Sequence, residues 1–273
     1  VRPGQGVNLD VMVTSSAGVQ SNTTKFSYLP PTISQPPNPS QFQTVGGGAV
    51  TITGTNYGLA ASTYFTSPTG PRLCAPFGVG QNHKQIQCVI PPGEGAVNIY
   101  VNVSGQISNS WPFVYSSPVI QGFSPSTIDT AGGTLVTVTG LNFGLGNLST
   151  VNFQLRGVTI PSSSITFINH TQLVFAAPPG TGSGLTMAMT VAGQPSTYTA
   201  STFLSYANPN IVSVSGCLSD IYPQAAGCSV TNQQTITITG SQFGAVASQV
   251  SVTIGTGSAC TDVTFITAQT QFM

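Results

Sequence analysis

Apolar and polar residues alternate in short runs along this chain, and no apolar stripe of 3.6-residue period is sustained. Val97, Ile99, Val101 and Val103 are each separated by one residue, the period of a half-buried strand. Val7, Leu9, Val11 and Val13 repeat the pattern. Gly (31) and Pro (20) interrupt every stretch, so the pattern predicts short strands joined by turns and no helices.

Two phrases recur along the chain. Residues 51–58 read TITGTNYG, 137–144 read TVTGLNFG and 237–244 read TITGSQFG, with starts 86 and 100 residues apart. Phe26-Ser-Tyr28, Phe113-Val-Tyr115 and Phe203-Leu-Ser-Tyr206 each close a strand-like run shortly before a proline. A period of about 90 residues is too long for a solenoid turn and fits a small β-sandwich. The chain therefore divides into residues 1–29, read as the second half of a module; whole modules at 30–116 and 117–206; and the first part of another at 207–273.

Each whole module follows one plan. Pro31-Thr-Ile33 and Pro118-Val-Ile120 open the two, and Pro209-Asn-Ile211 opens the partial one. Gly46–Gly48 and Gly132-Gly133 are turns, because glycine accepts positive φ. Gly54 and Gly58 bracket a tight corner from which Tyr57 is expected to tuck onto the core. Pro91-Pro92-Gly93 and Pro178-Pro179-Gly180 are matching turns, and Pro3-Gly-Gln-Gly6 fits the same place in the first segment. The links Ser116-Ser117-Pro118 and Ala207-Asn208-Pro209 are short and contain proline, so a semi-rigid rod is expected. Thr270-Gln-Phe-Met273 aligns with Lys84-Gln-Ile-Gln87, and the chain starts just after the position matching Cys88. The end of one copy could thus be continued by the start of another, as in a repeat cut from a longer periodic chain; an arbitrary stretch is the alternative.

Charge narrows the function classes. Five Lys/Arg and five Asp/Glu make 4% of the chain, against roughly 25% in ordinary globular proteins. A basic nucleic-acid footprint and a polybasic membrane patch are both missing. No apolar run is long enough to span a membrane as a helix. The surface must be neutral, built of Ser, Thr, Asn, Gln and Gly, which favours association or a covering of sugar.

Catalytic chemistry is thin. His83 and His170 are the histidines, and Asp10, Glu94, Asp129, Asp220 and Asp262 are the acids, scattered among the modules. No nucleophile-elbow, zincin or phosphate-loop motif occurs. Neither an enzyme activity, a metal site nor a cofactor is expected. His83 reads as a solvated loop residue and His170 as part of a sequon.

In combination these features resemble the IPT/TIG domain family, immunoglobulin-like modules of plexins, other cell-surface receptors and some transcription factors. The carrying residues are Pro-x-Ile at 31–33, 118–120 and 209–211, the Gly turns at 46–48 and 132–133, the three TxTGxxFG-type phrases, and Tyr28, Tyr115 and Tyr206. The third module departs, with no Gly-Gly before Thr235 and an insertion carrying Cys217 and Cys228. The resemblance implies an all-β fold: tandem immunoglobulin-like β-sandwich domains in a semi-rigid array, used for adhesion, receptor architecture or spacing, with no enzyme activity.

The family often carries a disulfide where Cys74 and Cys88 stand, and Phe175 replaces Cys88 in the second module. Cys217 and Cys228 would close a small loop worth about 2–3 kcal/mol. Cys260 has no evident partner, and its partner is expected just beyond Met273. Reduced thiols are the alternative; a zinc site lacks a CxxC pair or a nearby His. Disulfides imply an oxidising, extracellular setting. Asn22, Asn102, Asn147 and Asn169 stand in N-x-S/T sequons, so N-linked glycans are expected partners.

The leading expectation is an extracellular structural glycoprotein forming a fibre, coat or adhesive stalk at the cell surface, by self-association. The alternative is the ectodomain of a cell-surface receptor or adhesion protein that binds another protein, with Trp111, Tyr64, Tyr222 and Arg156 as anchor candidates; Trp111 and Tyr64 also read as core or module-junction residues. An accessory module of a carbohydrate-active enzyme is a third reading.

Overall fold

A computed structural model of the chain describes residues 2, 4–77, 82–200, 203–229, 231–256, 258–260 and 262–273. Pro3, first residue of the expected 3–6 turn, lies outside the described residues. Among these residues the architecture is all-β, with two short 3-10 turns at Ser162–Ser164 and Ala247–Gln249.

In the first whole module the strands run Thr32–Ile33, Ala49–Thr55, Gln85–Val89, Arg72–Pro76, Ala61–Phe65, Ala96–Val103, Trp111–Tyr115 and Gln41–Phe42, in that hydrogen-bonded order. Gln106–Ile107 folds back on Ala96–Val103. The path is continuous because Ala75 pairs with Val89 and Pro76 with Cys88, where the Cys74–Cys88 disulfide joins neighbouring strands. Alternation sends Ile99, Val101 and Val103 inward with Val50, Ile52, Ile86, Phe65, Phe113 and Tyr115.

The second module splits the same plan: Thr127–Ile128 pairs with Ser205–Tyr206 as a two-stranded sheet, and two larger sheets hold the other strands. One contains Ile165–Asn169, Gln172–Ala176, Leu135–Leu141, Val119–Ser124 and Thr197–Tyr198; the other contains Val158–Thr159, Val151–Leu155, Met187–Val191 and Gln194–Pro195. Phe153 and Phe175 meet between them with ring centroids 4.9 Å apart. Phe175 pairs with Val136 as Cys88 pairs with Val50, and Phe153 holds the place of Thr63. An aromatic contact thus fills the volume that the disulfide and a small side chain occupy in the first module.

The third module has one four-stranded sheet, Asn210–Ser215, Thr237–Ser241, Gln271–Phe272 and Phe265–Thr267, and the hairpin Thr253–Ile254 with Ser258–Ala259. Ile238 and Phe243 are its buried centre. Before the first whole module, Leu9–Val11 pairs with Thr24–Phe26 as an exposed hairpin.

The repeated phrases have one structural meaning each. Tyr57, Phe143 and Phe243 fold back over Gly54, Gly140 and Gly240, where a Cβ would collide both with the aromatic ring and with a carbonyl of the facing strand, that of Thr32, Val119 or Asn210. The closing tyrosines donate to the Pro-rich turn: Tyr115 Oη to the Pro91 carbonyl and Tyr206 Oη to the Pro178 carbonyl, both at 2.7 Å, and Tyr28 Oη to the Arg2 carbonyl at 3.0 Å. Glycine follows in each turn because the ring lies over Gly93, Gly180 or Gly4.

Candidate functional site: the junctions between modules

The TxTGxxFG phrase also faces the preceding module. Its sixth residue, Asn56, Asn142 or Gln242, has φ near +60° (62°, 60° and 62°), which swings a polar side chain out of its own sandwich. Asn142 Oδ1 accepts the N–H of Thr44 at 3.2 Å, and its Nδ2 donates to the Ser117 carbonyl in the linker at 3.2 Å. Gln242 Oε1 accepts the N–H of Thr130 at 2.9 Å. Asn56 Nδ2 donates to the Pro30 carbonyl at 3.0 Å. Thr44 and Thr130 hold equivalent places before the Gly turns, and each is 1% exposed.

A second residue completes the clasps on Thr44 and Thr130. The amide of Tyr57, Phe143 or Phe243 bonds the carbonyl of His83, His170 or Gln269, so these three are equivalent. His170 Nδ1 stands 3.0 Å from Thr44 Oγ1. Gln269 bonds the Thr130 hydroxyl and donates to the Thr130 carbonyl at 3.2 Å. Burial lowers the His170 pKa, and the carboxylate of Glu94 acts in the opposite direction without overcoming it. Asp129 accepts from the Ala131 N–H and from Gln242 Nε2, which hold its carboxyl below the usual range.

The turn of one module inserts beside the second Gly of the next module's phrase. Glu94 Oε2 accepts the Leu145 N–H at 2.8 Å and Oε1 accepts the Thr150 hydroxyl at 2.7 Å. Gln5 Oε1 does the same for the Leu59 N–H at 3.2 Å. Thr181 lies at this place in the third case, where a Cβ on Gly244 would stand 2.7 Å from its Cγ2. Cβ atoms on Gly58 and Gly144 would collide with Gln5 and Glu94, and all three glycines have positive φ. Finally, Gln194 Nε2 donates to the Tyr115 carbonyl at 2.9 Å, and Gln106 Nε2 to the Tyr28 carbonyl at 3.0 Å.

These junctions are polar, largely uncharged and repeated. Their chemistry fixes orientation: directional hydrogen bonds to backbone groups on both sides resist rotation, which apolar contact alone would allow. Among the described residues no cluster of three or more His, Cys, Asp or Glu side chains could hold a metal.

The residues singled out in the sequence fall as follows. Cys74–Cys88 is buried in the first module, and Cys217–Cys228 closes an exposed loop of the third. Cys260 is a free, half-buried thiol. Asn22, Asn147 and Asn169 are exposed, and Asn102 is half-buried on the outward face of its strand. Asn147 and Asn169 flank the junction between the first two whole modules, beside Thr150 and His170 respectively. Each folds an Asx turn, accepting from the Ser149 N–H (3.1 Å) and the Thr171 N–H (2.8 Å). Trp111 packs against the core of its module, whereas Tyr64 lies on the outer face, stacked on Tyr100. His83 is exposed and His170 reaches across a junction. The sequence pattern did not single out Thr44, Thr130, Asn142, Gln242 or Gln269; the only signal for them was their recurrence at one phase of the repeat.

Residues 31–115, 118–206 and 217–271 each match the sequence model of the IPT/TIG domain. Among solved structures, the extracellular region of plexin A4 is similar at 19% identity and a TM-score of 0.33, over 65% of this chain and 18% of that one. The surface glycan-binding protein PbSGBP-B from Prevotella bryantii is similar at 14% identity and a TM-score of 0.39, over 57% of this chain and 36% of that one. SGBP-B from a xyloglucan utilization locus of Bacteroides uniformis aligns at 18% identity and a TM-score of 0.28, over 77% and 62%. The chain spans less than two thirds of each of these proteins.

Proposed function

The chain belongs to the IPT/TIG domain family, and on that premise we propose that it is an extracellular structural glycoprotein whose tandem modules form a fibre, coat or adhesive stalk at the cell surface. The observation that carries this reading is the repeated junction: Thr44 held by Asn142 and His170, and Thr130 held by Gln242 and Gln269. A chain of modules needs such clasps if its work is to transmit shape. The two disulfides support an oxidising location, and the near-absence of charge favours self-association. The reading includes no catalysis and no cofactor.

Electron microscopy of the native material tests it. Regular filaments with a constant module-to-module angle are expected; freely jointed, monomeric chains would overturn it. One observation favours the second reading, a receptor or adhesion ectodomain that binds another protein. The Cys217–Cys228 loop presents Leu218, Ile221 and Tyr222 at 86%, 72% and 78% exposure, clustered exposed apolar side chains of the kind that mark interaction sites. A parent chain that forms no filaments, together with loss of cell-surface adhesion in folded Leu218→Ser and Tyr222→Ser chains, would decide for that reading.

A further inference from the structure

Tyr64 and Tyr100 are cross-strand partners on the outer face of the first whole module, with ring centroids 5.4 Å apart and planes 21° from parallel. Their strand neighbours Thr63, Phe65, Ile99 and Val101 are buried, so alternation turns both tyrosines away from the core, where they stay half-exposed. Leu73, paired with Tyr64 and 52% exposed, extends the row onto a third strand. The next row along the same face holds Ser62, Asn102 and Ile107. Neither row carries a charge.

Asn102 follows Tyr100 by two residues, which places it on the same face about 7 Å further along the strand. It begins the sequon Asn102-Val-Ser104. The turn after it has positive φ at Ser104 (48°) and Gly105 (87°), and Asn102 Oδ1 accepts the Gly105 N–H at 3.0 Å. That bond anchors the oxygen of the amide and leaves Nδ2 for a glycosidic bond. Two residues before Asn22 and Asn147 stand Gln20 and Leu145. A register shift between Phe167 and Asn169 interrupts the alternation there.

We propose that the Tyr64–Tyr100 pair is the docking platform for carbohydrate N-linked to Asn102, with the first N-acetylhexosamine ring laid on the tyrosine faces. This rests on the glycoprotein reading above. Attachment replaces an Nδ2–H bond by an Nδ2–C1 bond to a sugar from a glycosyl diphosphate donor; the C1–O bond breaks, the diphosphate leaves and the amide proton is released. The C–H face of a pyranose carries slight positive charge, which the negative face of an aromatic ring attracts, and the sugar hydroxyls meet the polar rim of Ser62 and Asn98. Docking covers two otherwise half-exposed aromatic rings and ties the sugar to the sheet.

The test uses the whole chain expressed in a glycosylating host, with its glycans trimmed to single N-acetylglucosamine residues. Mass spectrometry reads occupancy at Asn102. Thermal unfolding of this module is followed by fluorescence of Trp111, the single tryptophan, which lies in it. The sugar at Asn102 should raise the midpoint by about 3–5 °C relative to Asn102→Gln, and most of that gain should vanish in Tyr64→Val and Tyr100→Val chains. The N-acetyl methyl proton signal of the Asn102 sugar should lie upfield of its free position and return to it in both variants, a readout that also decides the matter in the parent chain if a variant fails to fold. An occupied Asn102 with an unshifted methyl signal and equal gains in all backgrounds overturns docking and leaves the glycoprotein reading standing. An Asn102 without sugar overturns docking and the expectation of a glycan at this site together.

Discussion

His170 Nδ1 stands 3.0 Å from Thr44 Oγ1, and the two side chains belong to different modules. Burial holds the His170 pKa below its usual 6.5, so the folded junction binds a proton less readily than the unfolded chain. The contribution is complete above about pH 6.5 and is lost as the pH falls through the lower, folded value. The Glu94 carboxylate, whose charge favours the protonated imidazole, offsets part of that loss. Acidification should therefore loosen the junction between the first and second whole modules, and His170→Gln should abolish the effect. Small-angle scattering between about pH 7.5 and about pH 5 reads it. The next junction, where Gln269 takes the histidine's place, should not respond.

Glu94 couples a turn of one module to the Leu145 N–H and the Thr150 hydroxyl of the next. Glu94→Ala should weaken that junction by about 1–3 kcal/mol, because a backbone donor and a hydroxyl lose a charged acceptor. Glu94→Gln should cost less, since Gln5 makes the same bond to the Leu59 N–H in the preceding junction. Chemical denaturation compared with the widening of the scattering-derived end-to-end distribution separates the two variants.

Tyr57 is fully buried and its hydroxyl has no hydrogen-bond partner, an arrangement in which burial raises the phenol pKa. Phe143 and Phe243 hold the equivalent place without a hydroxyl. Tyr57→Phe should stabilise the first module by about 1 kcal/mol by removing a desolvated, unpaired polar atom. A fall in the denaturation midpoint of Trp111 fluorescence would contradict this.

The two disulfides should separate on mild reduction. Cys74 and Cys88 are 2% and 1% exposed, whereas the Cys217–Cys228 loop lies at the surface. Thiol trapping should find Cys217 and Cys228 first. Replacing Cys74 and Cys88 by alanine should cost about 3 kcal/mol, from a cross-link spanning a 14-residue separation. Equal trapping rates for both pairs would refute the ordering.

The sequence by itself determined the all-β class, the period of the modules and the places of the corners, because these depend on local geometry. Period-2 alternation such as Val97 to Val103 dictates a strand face, and glycine beside an aromatic, as at Gly54 and Tyr57, dictates a tight fold-back. Tyrosine ending a strand before Pro marks the turn that it will bond. The tertiary structure decided what those corners are for. Thr44 meets Asn142 and His170 across 98 and 126 residues of chain, and nothing in the alternation of either module specifies how it turns against its neighbour. Tyr64 shows the same limit in the other direction: an aromatic residue in a strand reads as core, and only the pairing with Tyr100, between buried Thr63 and Phe65, put it on the outer face beside Asn102. Orientation between modules, and the choice of face in a strand without a clean apolar alternation such as Ala61–Phe65, arise from packing at a distance, which a single chain's pattern does not carry.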